Sequence, residues 1–152
     1  MAGISIAVRV DPRLYTKIRK HKEAGPREFV KRMARAEALA KKRTSGPVLK
    51  VRSGLLRSSI THEVKQEGND LVGRLGSDRV YAAIHELGGT ISPRLVVPRR
   101  RRALRFMIGG RVVFAQFANI PAVTIPPRPY LDPSLQESFA GFEAAVLGEA
   151  EA

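Results

Sequence analysis

The chain has 152 residues, 43% of them apolar, which suits one domain with one packed core. It has no cysteine, which excludes disulfides and thiolate metal sites, and no apolar run long enough to span a bilayer. A formal charge of +13, from 27 Lys and Arg against 14 Asp and Glu, points to a polyanionic neighbour, either nucleic acid or an acidic protein surface.

Met1-Ala2-Gly3-Ile4-Ser5 lacks the basic-then-apolar layout of a secretion signal, so synthesis in the cytoplasm is the default expectation. Ile4, Ile6, Val8 and Val10 then alternate with small or polar residues, the pattern of a half-buried strand. Asp11-Pro12 supplies a helix start, and Leu14, Tyr15 and Ile18 give that helix an apolar side. Gly25-Pro26 breaks it and opens a second helix, on which Phe29, Val30, Met33, Ala36 and Ala40 recur at helical spacing. Its other face carries Lys31, Arg32, Arg35, Lys41 and Lys42, and Thr44-Ser45-Gly46-Pro47 ends it.

Beyond Ser53-Gly54, Leu55, Leu56 and Ile60 predict a short helical turn leading into a strand. Residues Ile60–Lys65 and Leu71–Leu75 form a hairpin across Glu67-Gly68-Asn69-Asp70. A second hairpin is clearer: Leu104, Phe106 and Ile108 alternate, Gly109-Gly110 turns, and Val112 to Phe114 returns. Prolines at 121, 126, 127 and 129 hold the next stretch extended. Asp132-Pro133 begins a last helix with Leu135, Phe139, Phe142 and Val146 on one face. The expected class is α+β: an antiparallel sheet, as a small sandwich or partial barrel, packed with N-terminal helices and a C-terminal helix. The domain runs over residues 1–152, with a basic loop at about 93–102 and an acidic C-terminal helix from about 133.

Few residues invite catalytic chemistry. His85-Glu86 would suit a zinc-protease helix only with a second histidine at position 89, which is Gly89. His21 and His62 have no ligand-like company, and polar residues at a turn account for His85 and Glu86 better than a metal does. Ser53, Ser58 and Ser59 lack a nucleophile-elbow pattern, and there is no phosphate-binding loop ending in Gly-Lys-Ser/Thr. The expectation is therefore a protein that is not an enzyme, with no catalytic residue, cofactor or metal.

Charge is distributed unevenly. From Leu87 to Leu131 there are eight arginines and no acid; from Asp132 to the end there are five acids and no base. Such a chain can pair with copies of itself, head to tail. The run Arg99, Arg100, Arg101 and Arg102 has two balanced readings, contact with a polyanion and a solvated basic loop. Phe106, Phe114 and Phe117 read as core or hairpin-face residues. Tyr81 and Tyr130 suit an interface, although core packing is the commoner fate of either.

Three segments carry a resemblance. Arg52-Ser53-Gly54-Leu55-Leu56-Arg57-Ser58-Ser59-Ile60 follows a basic helix. Tyr81-Ala82-Ala83-Ile84-His85-Glu86-Leu87-Gly88-Gly89 is a tyrosine-led apolar turn ending in a double glycine. Ile125-Pro126-Pro127-Arg128-Pro129-Tyr130-Leu131 is clamped by prolines and precedes the last helix. In this order they resemble the bacteriophage neck and tail-completion (head–tail joining) proteins, and are similar also to Mu-type virion morphogenesis proteins. The similarity runs from the second helix to the end and leaves out the first strand and helix.

The resemblance implies a structural protein of the virion neck or tail, assembled in the host cytoplasm as a homo-oligomeric ring around the DNA channel. A hexamer is favoured over a dodecamer. The implied neighbours are other neck, portal-side or tail-tube proteins, with non-specific contact to genomic DNA and no membrane. Tyr81, Gly88, Gly89, Arg128 and Tyr130 are the expected interface or structural anchors, and Arg99 to Arg102 the expected polyanion or channel contact. A stand-alone basic nucleic-acid-binding protein is the rival reading. It explains the charge, but not the acidic C-terminal helix or the proline clamp.

Overall fold

The computed structural model describes residues 3–11, 13, 14, 16, 24–46, 49, 54–68 and 70–148. Strand β1 (Ile4–Arg9) is followed by helix α1 (Ala24–Arg43), the short helix α2 (Leu55–Ser59) and strands β2 (Ile60–Glu67) and β3 (Asp70–Ser77). Helix α3 (Ala82–Leu87) precedes six short strands: β4 (Gly89–Ile91), β5 (Arg94–Val96), β6 (Leu104–Ile108), β7 (Arg111–Ala115), β8 (Ala118–Ile120) and β9 (Val123–Ile125). Helices α4 (Asp132–Phe139) and α5 (Phe142–Gly148) follow. The class is α+β with antiparallel strands and helices towards both ends. No helix among the described residues is long and apolar enough to cross a membrane.

The chain divides into two compact units, residues 1–87 with 127–152, and residues 88–126. The first is a helix–sheet unit. Its sheet has the order β1-β3-β2, with Ile4 and Ile60 both opposite Ser77, so β3 is the central strand. Leu71, Val72 and Leu75 of β3 are accordingly buried. Helix α1 packs on this sheet and on α4 and α5. Phe29, Met33, Ala36 and Ala40 point inward at helical spacing and are fully buried. Each large apolar side chain buried here contributes about 1.5–3 kcal/mol relative to exposure. A Cβ at Gly73 would lie 2.6 Å from the Met33 sulfur, so glycine lets α1 approach β3 at that point.

Three sequence expectations need correction here. Val30 is 46% exposed, because the inward face of α1 is narrower than its apolar composition suggests. The last helix is two helices: Gly141 adopts φ 70° and separates α4 from α5, yet Leu135, Phe142 and Val146 still reach the core. The basic face of α1 is not uniformly solvated. Arg32 donates from Nε to Glu28 (2.7 Å) and from an Nη to the carbonyls of Ser138 and Ala140 (2.8 and 2.9 Å), capping the end of α4. The helix expected after Asp11-Pro12 lies mostly outside the described residues, of which Arg13, Leu14 and Thr16 are helical; α1 already begins at Ala24, so Gly25 and Pro26, expected to break the preceding helix, stand in the first turn of α1.

The second unit, residues 88–126, is an arm of nested antiparallel ribbons, β4–β9, β5–β8 and β6–β7. The first two ladders share one register, which places Pro93 across from Pro121. Proline has no N–H to donate, so the ladder is interrupted there. Of the stretch expected to be held extended by prolines at 121, 126, 127 and 129, the part around Pro121 is strand, in β8 and β9, whose pairing with β5 and β4 no local pattern announces. Seven residues, 97–103, join β5 to β6, whereas two, 116 and 117, join β7 to β8. The basic loop is that surplus on one side of the ribbon, and residues 94–96 of its expected span are strand. At the tip, Gly109 and Gly110 take φ 56° and 80°, the positive values that a two-residue hairpin turn requires.

Candidate functional site

Two of the motif segments meet at Glu86, which α3 places in the interior of the helix–sheet unit. It is 4% exposed. Its Oε2 accepts hydrogen bonds from the backbone N–H groups of Tyr130 (2.7 Å) and Leu131 (3.0 Å), and its Oε1 accepts one from Asp132 (3.0 Å). One residue earlier, the His85 carbonyl accepts from the backbone N–H of Arg128 (2.8 Å). Four bonds therefore stitch the proline-clamped segment and the first residue of α4 to the tyrosine-led helix, across more than forty residues of sequence.

The physical reason lies in the start of α4. Its N-cap position is Leu131, which has no side-chain oxygen, and no side-chain cap is made locally. The first N–H groups of a helix need acceptors, and a carboxylate there is also favoured by the helix dipole. Glu86 supplies that acceptor from another element. Charge-assisted bonds of this kind contribute about 1.5–3 kcal/mol each when intact. Both carboxylate oxygens are thereby committed to backbone donors. Read along the sequence, Glu86 is an ordinary turn residue. Its only signal is the leucine at a position where a capping side chain belongs.

Tyr130 is fully buried, so of the two tyrosines it is the core anchor. Burial, then the charge of Glu86, then Tyr81 push its phenol well above the usual range. Its Oη makes no hydrogen bond among the described residues, while its carbonyl accepts from Ser134 Oγ (2.6 Å). Tyr81 is partly exposed and stands edge-on to the His85 ring, with centroids 6.2 Å apart. Arg128 is held by its backbone, and its side chain is exposed. Gly88 and Gly89 carry φ of 71° and 153°, which lets the chain turn from α3 into β4 without strain.

Ser58 and Ser59 donate to the carbonyls of Leu55 and Leu56, so they finish the turn of α2; Arg52 and Ser53 lie outside the described residues. His62 shares Glu37 with Lys41: its ring Nδ1 and its backbone N–H both meet the Glu37 carboxylate. Burial raises the Glu37 pKa, but the hydrogen bonds from Lys41 and His62 outweigh it and hold the group below the usual carboxylate value. His21 lies outside the described residues. Arg99, Arg100, Arg101 and Arg102 are all exposed in the surplus loop of the arm, and among the described residues none has an ion pair.

The arm itself contains no buried residue. Its register puts Leu104, Phe106 and Ile108 with Val113 on one face of β6–β7, and Met107 with Val112 and Phe114 on the other. Phe114 is 66% exposed and Met107 71%. Of the two readings of Phe114, the hairpin face therefore holds and the core does not. Phe117 is neither, since it is exposed in the link between β7 and β8. An isolated two-stranded ribbon is marginal in water.

A model of the phage virion morphogenesis family matches residues 16–145. The match takes in all three motif segments and the arm, and it begins upstream of the second helix, earlier than the motifs alone extend. No curated protein and no solved structure matches the chain. With the Glu86 stitch uniting two of its motifs and a match over most of its length, the chain belongs to the phage virion morphogenesis family.

Proposed function

We propose that this chain is a structural protein of the phage neck, a ring that joins head to tail around the DNA channel and turns over no substrate. The arm carries the reading: it has apolar side chains on both faces of its hairpin, arginines without acids, and no buried residue. Such a surface gains stability when covered, and a contact between different patches on identical copies makes a ring when its rotation closes and an open filament when it does not. The commitment of both Glu86 oxygens to backbone donors supports a scaffolding role for the motif best placed to suggest catalysis. In the ring, Arg99 to Arg102 provide a sequence-independent positive surface towards the channel or an acidic neighbouring ring.

Electron micrographs of the purified chain should show closed rings with a central hole. Changing Arg99 to Arg102 together to serine should leave folding intact and lower the salt sensitivity of DNA contact, by up to about 0.9 in log–log slope per lost phosphate contact. It should also reduce joining of filled heads to tails. Monomers that bind DNA with a steep salt dependence would instead favour the basic nucleic-acid-binding reading, to which the +13 charge lends its support.

A further inference from the structure

A groove on the helix–sheet unit has the complementary character to the arm. It has a volume of about 660 Å³ and lies between the end of β1 and the α4–α5 junction. Val10, Leu14 and the rings of Phe29, Phe139 and Phe142 line it. The three rings form one cluster, with centroids 5.3 to 6.0 Å apart. Asp11 and Glu143 stand at its rim. Arg9 is there too, but it lies 3.6 Å from Glu67. Glu143 is exposed and has no ion pair among the described residues.

We infer that this groove is the docking site for the β6–β7 hairpin of a second copy of the chain. The inference rests on the ring reading and names the contact that builds the ring. Charge decides the occupant. An arm against another arm would oppose two surfaces that hold arginines and no acid. The segment from Asp132 onward has five acids and no base, so a copy of the chain offers the arm an anionic counterpart. Apolar chemistry agrees. The hairpin presents Met107, Val112 and Phe114 on one face, beside Arg105, and the groove offers aromatic side chains below an acidic rim. Because hairpin and groove are different surfaces, the contact repeats head to tail.

The chain has no cysteine, so introduced thiols report cleanly. Val112→Cys labels the hairpin and Ala144→Cys the groove, both at exposed positions. A mixture of the two single variants, treated with a short bismaleimide, should give cross-linked dimers, and each variant alone should not. The double variant should give a ladder of higher species. Adding Glu143→Arg to the groove variant should lower the cross-linked fraction about tenfold, with circular dichroism checking that it folds. Cross-linking by Val112→Cys alone would mean that arms pair with each other. A double variant that cross-links only within one chain would mean that the arm folds back on its own groove. Either result overturns the assignment. Rings in micrographs without any mixed cross-link would overturn the docking site and leave the ring standing. Monomers at every concentration would overturn both.

Discussion

The helix–sheet unit and the arm use the same kinds of residue to opposite ends. In the first, Phe29 and Met33 are sealed from water by a sheet and two further helices. In the second, Phe114 and Met107 sit on a two-stranded ribbon with most of their surface exposed. The first unit holds a core inside one chain, whereas the arm leaves apolar side chains of the same kind exposed. Apolar residues in a sequence thus report that burial is needed without saying which molecule supplies the cover.

The largest expected effect tests this contrast directly. Phe29→Ala should cost about 3–5 kcal/mol in urea unfolding, because it empties a packed site. Phe114→Ala in dilute protein should cost less than about 1 kcal/mol and should instead weaken self-association. Equal losses of stability for the two would show that the arm is as deeply embedded as α1, and the contrast would collapse.

A smaller loss is expected from Glu86→Gln. One amide oxygen can still accept from the backbone, but the amide NH₂ would face an N–H donor. The variant should lose about 2–3 kcal/mol of stability while keeping the hairpin intact by amide exchange. If protection in β6–β7 fell in step with that around Leu131, the stitch would be supporting both regions rather than one.

The smallest effect concerns acid. Glu37 has a folded pKa below its ordinary 4.5, so its contribution is present above that value and is lost as pH falls through the folded pKa. The urea midpoint should therefore drop on acidification, and Glu37→Gln should flatten this part of the pH profile. Since Lys41 and His62 both belong to the helix–sheet unit, exchange protection in the arm should not follow the change. An unaltered pH profile in the variant would mean that other carboxylates carry the acid sensitivity.

Much of the local structure is legible from periodicity and turn chemistry. Alternation in Ile4, Ile6 and Val8 and the 3.6-residue recurrence of Phe29, Met33, Ala36 and Ala40 each specify an element and its inward face. Gly109-Gly110 marks its hairpin because few other residues tolerate two successive positive φ values. The three ordered motifs, and the uneven charge, are likewise visible along the chain. The tertiary structure alone decided the partners. Glu86 meets Tyr130, Leu131 and Asp132 through backbone N–H groups, which every non-proline residue possesses, so no side-chain pattern could announce the contact. His62 meets Glu37 from another element for the same reason of folding. The burial of Tyr130 and the exposure of Phe114 also required the fold, since a sequence records how apolar a side chain is, while its access to water depends on what the rest of the chain places around it.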